Sequence, residues 1–185
     1  ITGVVNNGTL SATLFNNDNT YTKGFNLIGN PFPSPIDWDA ASGWTRSNID
    51  DAIYFFKPSP TDQYGGTYSS YVNGVSSDLI VNNIIPSMQG FFVHVSDGSY
   101  PVTGTLVMTN EVRINNLSQP FAKSAFTLST GSEIRLFAMF SSDTTKKDHL
   151  LLYIDDKATE FFDFQTDALK LMNTVLSVPN LYALS

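Results

Sequence analysis

Short apolar or alternating runs recur along the chain, separated by Gly, Asn, Pro and Asp. They predict strands over residues 9–15, 25–29, 52–57, 90–95, 104–109, 125–128, 133–140 and 149–154. The first alternates in part, as one buried face requires. Residues 133–140 begin with alternation and end almost wholly apolar, which predicts a central strand covered on both faces. Asn7-Gly8, Asn73-Gly74 and Asp97-Gly98 are hairpin signals, because Asn and Asp tolerate positive φ and Gly carries no penalty there. Pro31, Pro33 and Pro35 alternate, which predicts a rigid, extended loop. Strands at this spacing predict an all-β fold, an antiparallel β-sandwich or jelly roll. One short helix is expected over residues 167–172, with Thr166 or Asp167 as N-cap, and a helical turn over 37–43. The polar, proline-containing stretch 113–123 predicts a seam between a β-sandwich module (1–115) and a second, incomplete β module (116–185).

Composition narrows the function. Of 185 residues, 42% are apolar, enough for a real core, and only 15% are charged. Asn, Ser and Thr supply polarity instead, which suits strands and turns. The net charge of −7 argues against nucleic-acid partners and anionic membranes, since both need a basic face. There is no cysteine, so disulfides, thiolate catalysis and Cys-based zinc sites are excluded. No apolar run approaches the roughly 18–20 residues of a membrane span, so membrane insertion is not expected. Ile1 opens directly on a strand-like segment, and the chain is expected to be mature, trimmed or excised from something longer.

The run Gly24-Phe25-Asn26-Leu27-Ile28-Gly29-Asn30-Pro31-Phe32-Pro33-Ser34-Pro35-Ile36-Asp37-Trp38 is distinctive. With Ala52-Ile53-Tyr54-Phe55-Phe56, the Tyr/Gly stretch 64–74 and Ile85-Pro86-Ser87-Met88-Gln89-Gly90-Phe91-Phe92-Val93, it resembles a β-module of large exported Bacteroidetes surface proteins. That module lies upstream of a type IX secretion sorting domain. Ala158-Thr159-Glu160-Phe161-Phe162-Asp163 and Asp167-Ala168-Leu169-Lys170-Leu171 also resemble these proteins. The resemblance implies an extracellular or outer-membrane-surface location, the type IX machinery as partner during export, and an adhesin-like role. The resembled proteins continue past the equivalent of Tyr182, so a longer parent protein is expected.

Candidate chemistry is sparse. The two histidines, His94 and His149, lie on predicted strands, and no Gly-x-Ser-x-Gly elbow is present. Both are expected to be structural. The carboxylate pairs Asp37/Asp39, Asp50/Asp51 and Asp155/Asp156 would serve a glycoside hydrolase or lyase only if they faced each other about 5–10 Å apart. Calcium is the one candidate cofactor, with Asp18 in Asn16-Asn17-Asp18-Asn19 and Asp155-Asp156 as oxygen ligands; a solvated turn is the plainer reading. Trp44, Tyr64, Tyr68 and Tyr71 lie in loop-like segments and would form a carbohydrate platform if exposed together. Trp38 is expected to pack the Pro-rich loop onto the core, while packing and binding both stay open for the tyrosines. Thr144, in Asp143-Thr144-Thr145, fits an O-glycosylation pattern of exported Bacteroidetes proteins; Asn7-Gly8-Thr9 and Asn116-Leu117-Ser118 fit the N-glycosylation sequon. The expectation is a non-catalytic surface module for adhesion or structural spacing, or else a carbohydrate-binding module that takes a larger protein to polysaccharide or surface glycan.

Overall fold

A computed structural model describes residues 3–60, 63–115 and 132–184. The predicted strand 125–128, the sequon at Asn116 and most of the predicted seam lie outside the described residues. The strands are β1 (Leu10–Asn16), β2 (Phe25–Gly29), β3 (Ile36–Asp37), β4 (Trp44–Ser47), β5 (Ile49–Pro58), β6 (Gly66–Val72), β7 (Val75–Ser76), β8 (Ile84–Ile85), β9 (Gly90–Val95), β10 (Val102–Met108), β11 (Ser132–Phe140) and β12 (Asp143–Ile154). They form a three-stranded sheet β1-β10-β4, a five-stranded sheet β2-β9-β5-β6-β7, and the pairs β3-β8 and β11-β12. All ladders are antiparallel. The fold is all-β and sandwich-like, as the pattern of runs predicts.

Alternation builds the core. In β10, Gly104, Leu106 and Met108 turn inward while the residues between them stay partly accessible. Leu106 and Met108 meet Leu14 of β1, Ile49, Ile53 and Phe55 of β5, and Phe91, Val93 and Val95 of β9 in one buried cluster. The sheets approach so closely at Gly104 that a Cβ there would lie 2.6 Å from Ile49 Cδ1. The opposite side of β5 is also covered. Ala52 and Tyr54 join Val72 in a second buried cluster, packed by Phe25, Phe92 and Leu171. The C-terminal segment supplies that cover. The Asp51 amide donates to Phe164 O at 2.9 Å and the Thr174 amide to Gly66 O at 3.1 Å.

That docking explains why 167–172 is not a helix. One turn closes at Asp163, whose carbonyl accepts from the Thr166 and Asp167 amides at 3.1 and 2.7 Å. Beyond it the chain has no regular structure among residues 167–175. There Leu171 reaches the second cluster, and Asn173 Oδ1 accepts from the Tyr68 amide at 3.2 Å. Pairing with a sheet edge outweighs the weak propensity of so short a segment. The only helical segment among the described residues is a 3₁₀ turn, Asn110–Val112.

Other expectations are corrected as well. The strand covered on both faces is β5, not 133–140; β11 belongs to a two-stranded hairpin, where Ile134, Leu136 and Phe137 remain 44–54% exposed. The Tyr/Gly stretch 64–74 is not a loop, because β6 runs through it. Asn73-Gly74 does turn β6 into β7, with φ of 46° and 80°. Asp97-Gly98 instead carries the chain from one sheet to the other, from β9 to β10.

The Pro-rich loop hangs on Asn30, whose side chain is buried. Its Nδ2 donates to Ser34 O (2.9 Å), Ile85 O (3.1 Å) and Pro86 O (2.9 Å), and its Oδ1 accepts from the Phe32 amide (2.9 Å). Pro31, Pro33 and Pro35 have no amide hydrogen, so a side-chain amide supplies the donors that the loop lacks. Asn30→Ala leaves these buried carbonyls short of donors. It is expected to cost about 2–4 kcal/mol, read as a lower urea midpoint with unchanged slope.

Candidate functional site

The proposed aromatic platform does not assemble. Tyr71 is 5% exposed, and its hydroxyl donates to Asp39. Burial, and the Asp39 carboxylate beside it, push that hydroxyl's pKa well up. Tyr68, three positions away on β6, points to the opposite face, half-buried against Phe56 and Phe92. Tyr64 is 84% exposed. Trp44 packs edge-on to Trp38, centroids 4.8 Å apart, and its Nε1 donates to Asp37 O at 2.8 Å. Trp38 is fully buried, as expected. The Arg46 guanidinium lies 3.8 Å from its ring centroid, donates to Trp38 O and pairs with Asp51 at 3.3 Å. These tryptophans and Arg46 form a brace, and the four proposed platform residues share no face.

The acidic candidates are likewise local. Asp18 has φ of 51° and gives its amide to Asn16 Oδ1 at 3.1 Å. Asp155 accepts the Lys157 amide at 2.9 Å in an Asx turn, with Asp156 exposed beside it. Among the described residues, no three or more His, Cys, Asp or Glu side chains come together as a metal site. Thr144 is exposed on β12. Asp50 and Asp51, consecutive on β5, point apart: Asp50 meets His94 and Asp51 meets Arg46.

His94, Asp50 and Ser96 resemble a catalytic triad in composition only. Nδ1 of His94 lies 2.6 Å from Asp50 Oδ2, and Nε2 lies 2.9 Å from Lys23 O. A carbonyl oxygen only accepts, so Nε2 carries a hydrogen and donates it. In a working triad that nitrogen must take the serine proton. Ser96 sits on the far oxygen of Asp50 instead. Asn16 Nδ2 adds bonds to Val95 O (2.9 Å) and Asp97 Oδ1 (3.0 Å). The group laces the ends of β1 and β9 to the start of β5.

A polar cleft of about 210 Å³ lies where the hairpin β11-β12 meets the edge of the five-stranded sheet. Its walls come from β5 (Lys57), β6 (Thr67, Tyr68, Ser69), the segment after β7 (Ser77, Asp78, Ile80) and β12 (Thr145, Lys147, Asp148, His149). Arg135 Nη1 anchors the hairpin here by donating to Ser76 O at 2.9 Å. Asp78 accepts from Lys57, from Ser69 (2.6 Å) and from the Ile80 amide (2.9 Å). Burial pushes its carboxyl up, but the Lys57 ammonium and these bonds more than offset that, so its pKa lies below the ordinary value. Asp148 is held by Lys170 at 2.6 and 2.7 Å and by the Leu181 amide at 2.7 Å. Burial lowers the pKa of His149. Of the residues singled out from sequence only Tyr68 and His149 line the cleft. For the rest no signal was available, because residues 143–149 are polar without alternation and the run does not mark which of them face the cleft.

Two outcomes follow from this geometry. Gly24 has φ of +79°, and a Cβ there would lie 2.5 Å from Asn16 Nδ2 and 2.8 Å from His94 Nε2. Gly24→Ala is therefore expected to lower stability by about 1–3 kcal/mol in urea unfolding. Asp78 has a depressed pKa in the folded state. Its contribution is present above the unfolded value of about 3.9 and is lost as pH falls through the folded value. Asp78→Asn should reduce stability at pH 7 by about 1–3 kcal/mol and flatten its fall below about pH 4, measured by urea midpoints across pH.

No curated protein and no solved structure matches the chain. One family model does, over residues 1–184, and its description is "Domain of unknown function (DUF8693)". The chain belongs to that family, the domain of unknown function DUF8693.

Proposed function

We infer that this chain is a non-catalytic module of a protein exported by type IX secretion, serving adhesion or structural spacing at the cell surface. The observation that carries the reading is the use made of the resembling motif. Asn30, Trp38 and the β3-β8 pair tie residues 30–38 to residues 83–86, and the Trp38 amide donates to Asn83 O at 2.7 Å. The motif is thus a folding device, which supports reading its resemblance to the exported Bacteroidetes proteins as one of architecture. The engaged state of His94, Asp50, Asp78 and Asp148 supports a non-catalytic role. Export is the resemblance's contribution. Its test is protease shaving of intact Bacteroidetes cells that make the full-length protein, with and without a working type IX system. The expected result is loss of the protein from wild-type cells and its protected retention in the secretion mutant. Protection in wild-type cells would overturn the proposal.

A further inference from the structure

The cleft between β6 and β12 holds more hydrogen-bonding groups than its own acids use. Lys57 and Lys170 pair with Asp78 and Asp148, whereas Lys147 has no carboxylate partner among the described residues. The hydroxyl of Thr67 and both ring nitrogens of His149 have no hydrogen-bond partner among the described residues. Thr145, Lys147 and His149 alternate along β12 and share one face. On that face stands Phe137, paired with His149, 54% exposed and with its ring centroid 4.6 Å from Lys147 Nζ.

From this inventory we propose that the cleft binds a sugar residue carrying one anionic group, a uronate or a sulfated sugar. Lys147 meets the anionic group. Thr67 and His149 meet ring hydroxyls, being able both to give and to take hydrogen bonds. The exposed face of Phe137 takes the polarised C–H face of the sugar ring, as an aromatic quadrupole favours. A doubly charged phosphate fits less well, because one uncommitted ammonium stands beside two carboxylates. A neutral sugar would leave Lys147 unused. The groups facing His149 are Asp78, Lys57, Asp148 and Lys147. An added anion favours the protonated ring, whose pKa burial holds below the ordinary value, so binding tightens as pH falls and His149 takes up its proton.

This gives a ligand class to the adhesive role proposed above and rests on that reading only for its place of action. Binding is measured on purified protein, so failure here and failure of surface export are separate results. Saturation-transfer NMR and calorimetry with galacturonate, galactose 6-sulfate, galactose and acetate test it. Galacturonate or galactose 6-sulfate is expected to bind at least about tenfold tighter than galactose or acetate. Which of the two binds tighter separates carboxylate from sulfate as the source. Lys147→Gln, an exposed substitution, should weaken acidic-sugar binding about tenfold, and added salt should weaken it in the unmodified protein. His149→Gln should remove the pH dependence. The proposal is overturned if neither acidic sugar transfers saturation at about 10 mM, if acetate binds as tightly as galacturonate, or if Lys147→Gln binds unchanged.

Discussion

β5 carries apolar side chains on both faces, and an apolar face left in water costs roughly 25 cal/mol for each Å² that could be buried. That requirement organises the molecule. The inward face, Ile49, Ile53 and Phe55, is met by β10 and β1 of the smaller sheet. The outward face, Ala52 and Tyr54, is met by a segment more than a hundred residues later in the chain, through Leu171 and the backbone bonds at Phe164 and Thr174. With both sides covered, the centre of the five-stranded sheet is a fixed frame on which the loops and the hairpin are mounted.

The polar groups that hold this frame act where backbone donors are missing or strands must stop. Asn30 replaces the amides that three prolines remove. Arg46, between Trp38 and Trp44, joins the two sheets by stacking as well as by charge; a planar guanidinium can do both. One residue before Asp51, at the start of β5, Asp50 holds His94 of the neighbouring strand β9. Reactive-looking side chains are therefore employed in architecture, which is why their composition alone points toward chemistry that their geometry does not perform.

The cleft differs in kind. Its carboxylates are engaged, but hydroxyls, an imidazole and an ammonium remain around a space that neither the five-stranded sheet nor the hairpin β11-β12 builds alone. The hairpin β11-β12 is a two-stranded sheet, an element with little independent stability, and here it is anchored by Arg135 and by the Lys170–Asp148 pair. Any ligand bridging β6 and β12 would add to that anchoring by mass action.

The sequence by itself determined the class of fold and several strands closely: residues 25–29 and 90–95 coincide with β2 and β9, because period-two alternation and β-branched or aromatic residues are local signals. It also marked Trp38 as core and Asn73-Gly74 as a hairpin turn. Tertiary structure alone decided the rest. The two-residue strands β3, β7 and β8 exist only through their partners, and β6 hides among Tyr, Ser and Gly because its stability comes from β5 beside it. Residues 167–172 lose their helix to the sheet edge. Tyr68 and Tyr71 part company because consecutive strand residues face opposite ways, so an odd separation of three puts Tyr71 in the main core and Tyr68 against Phe56 and Phe92 on the other face. The cleft itself joins Lys57, Asp78 and His149 across more than ninety residues, and no spacing along a chain records which distant strands will meet.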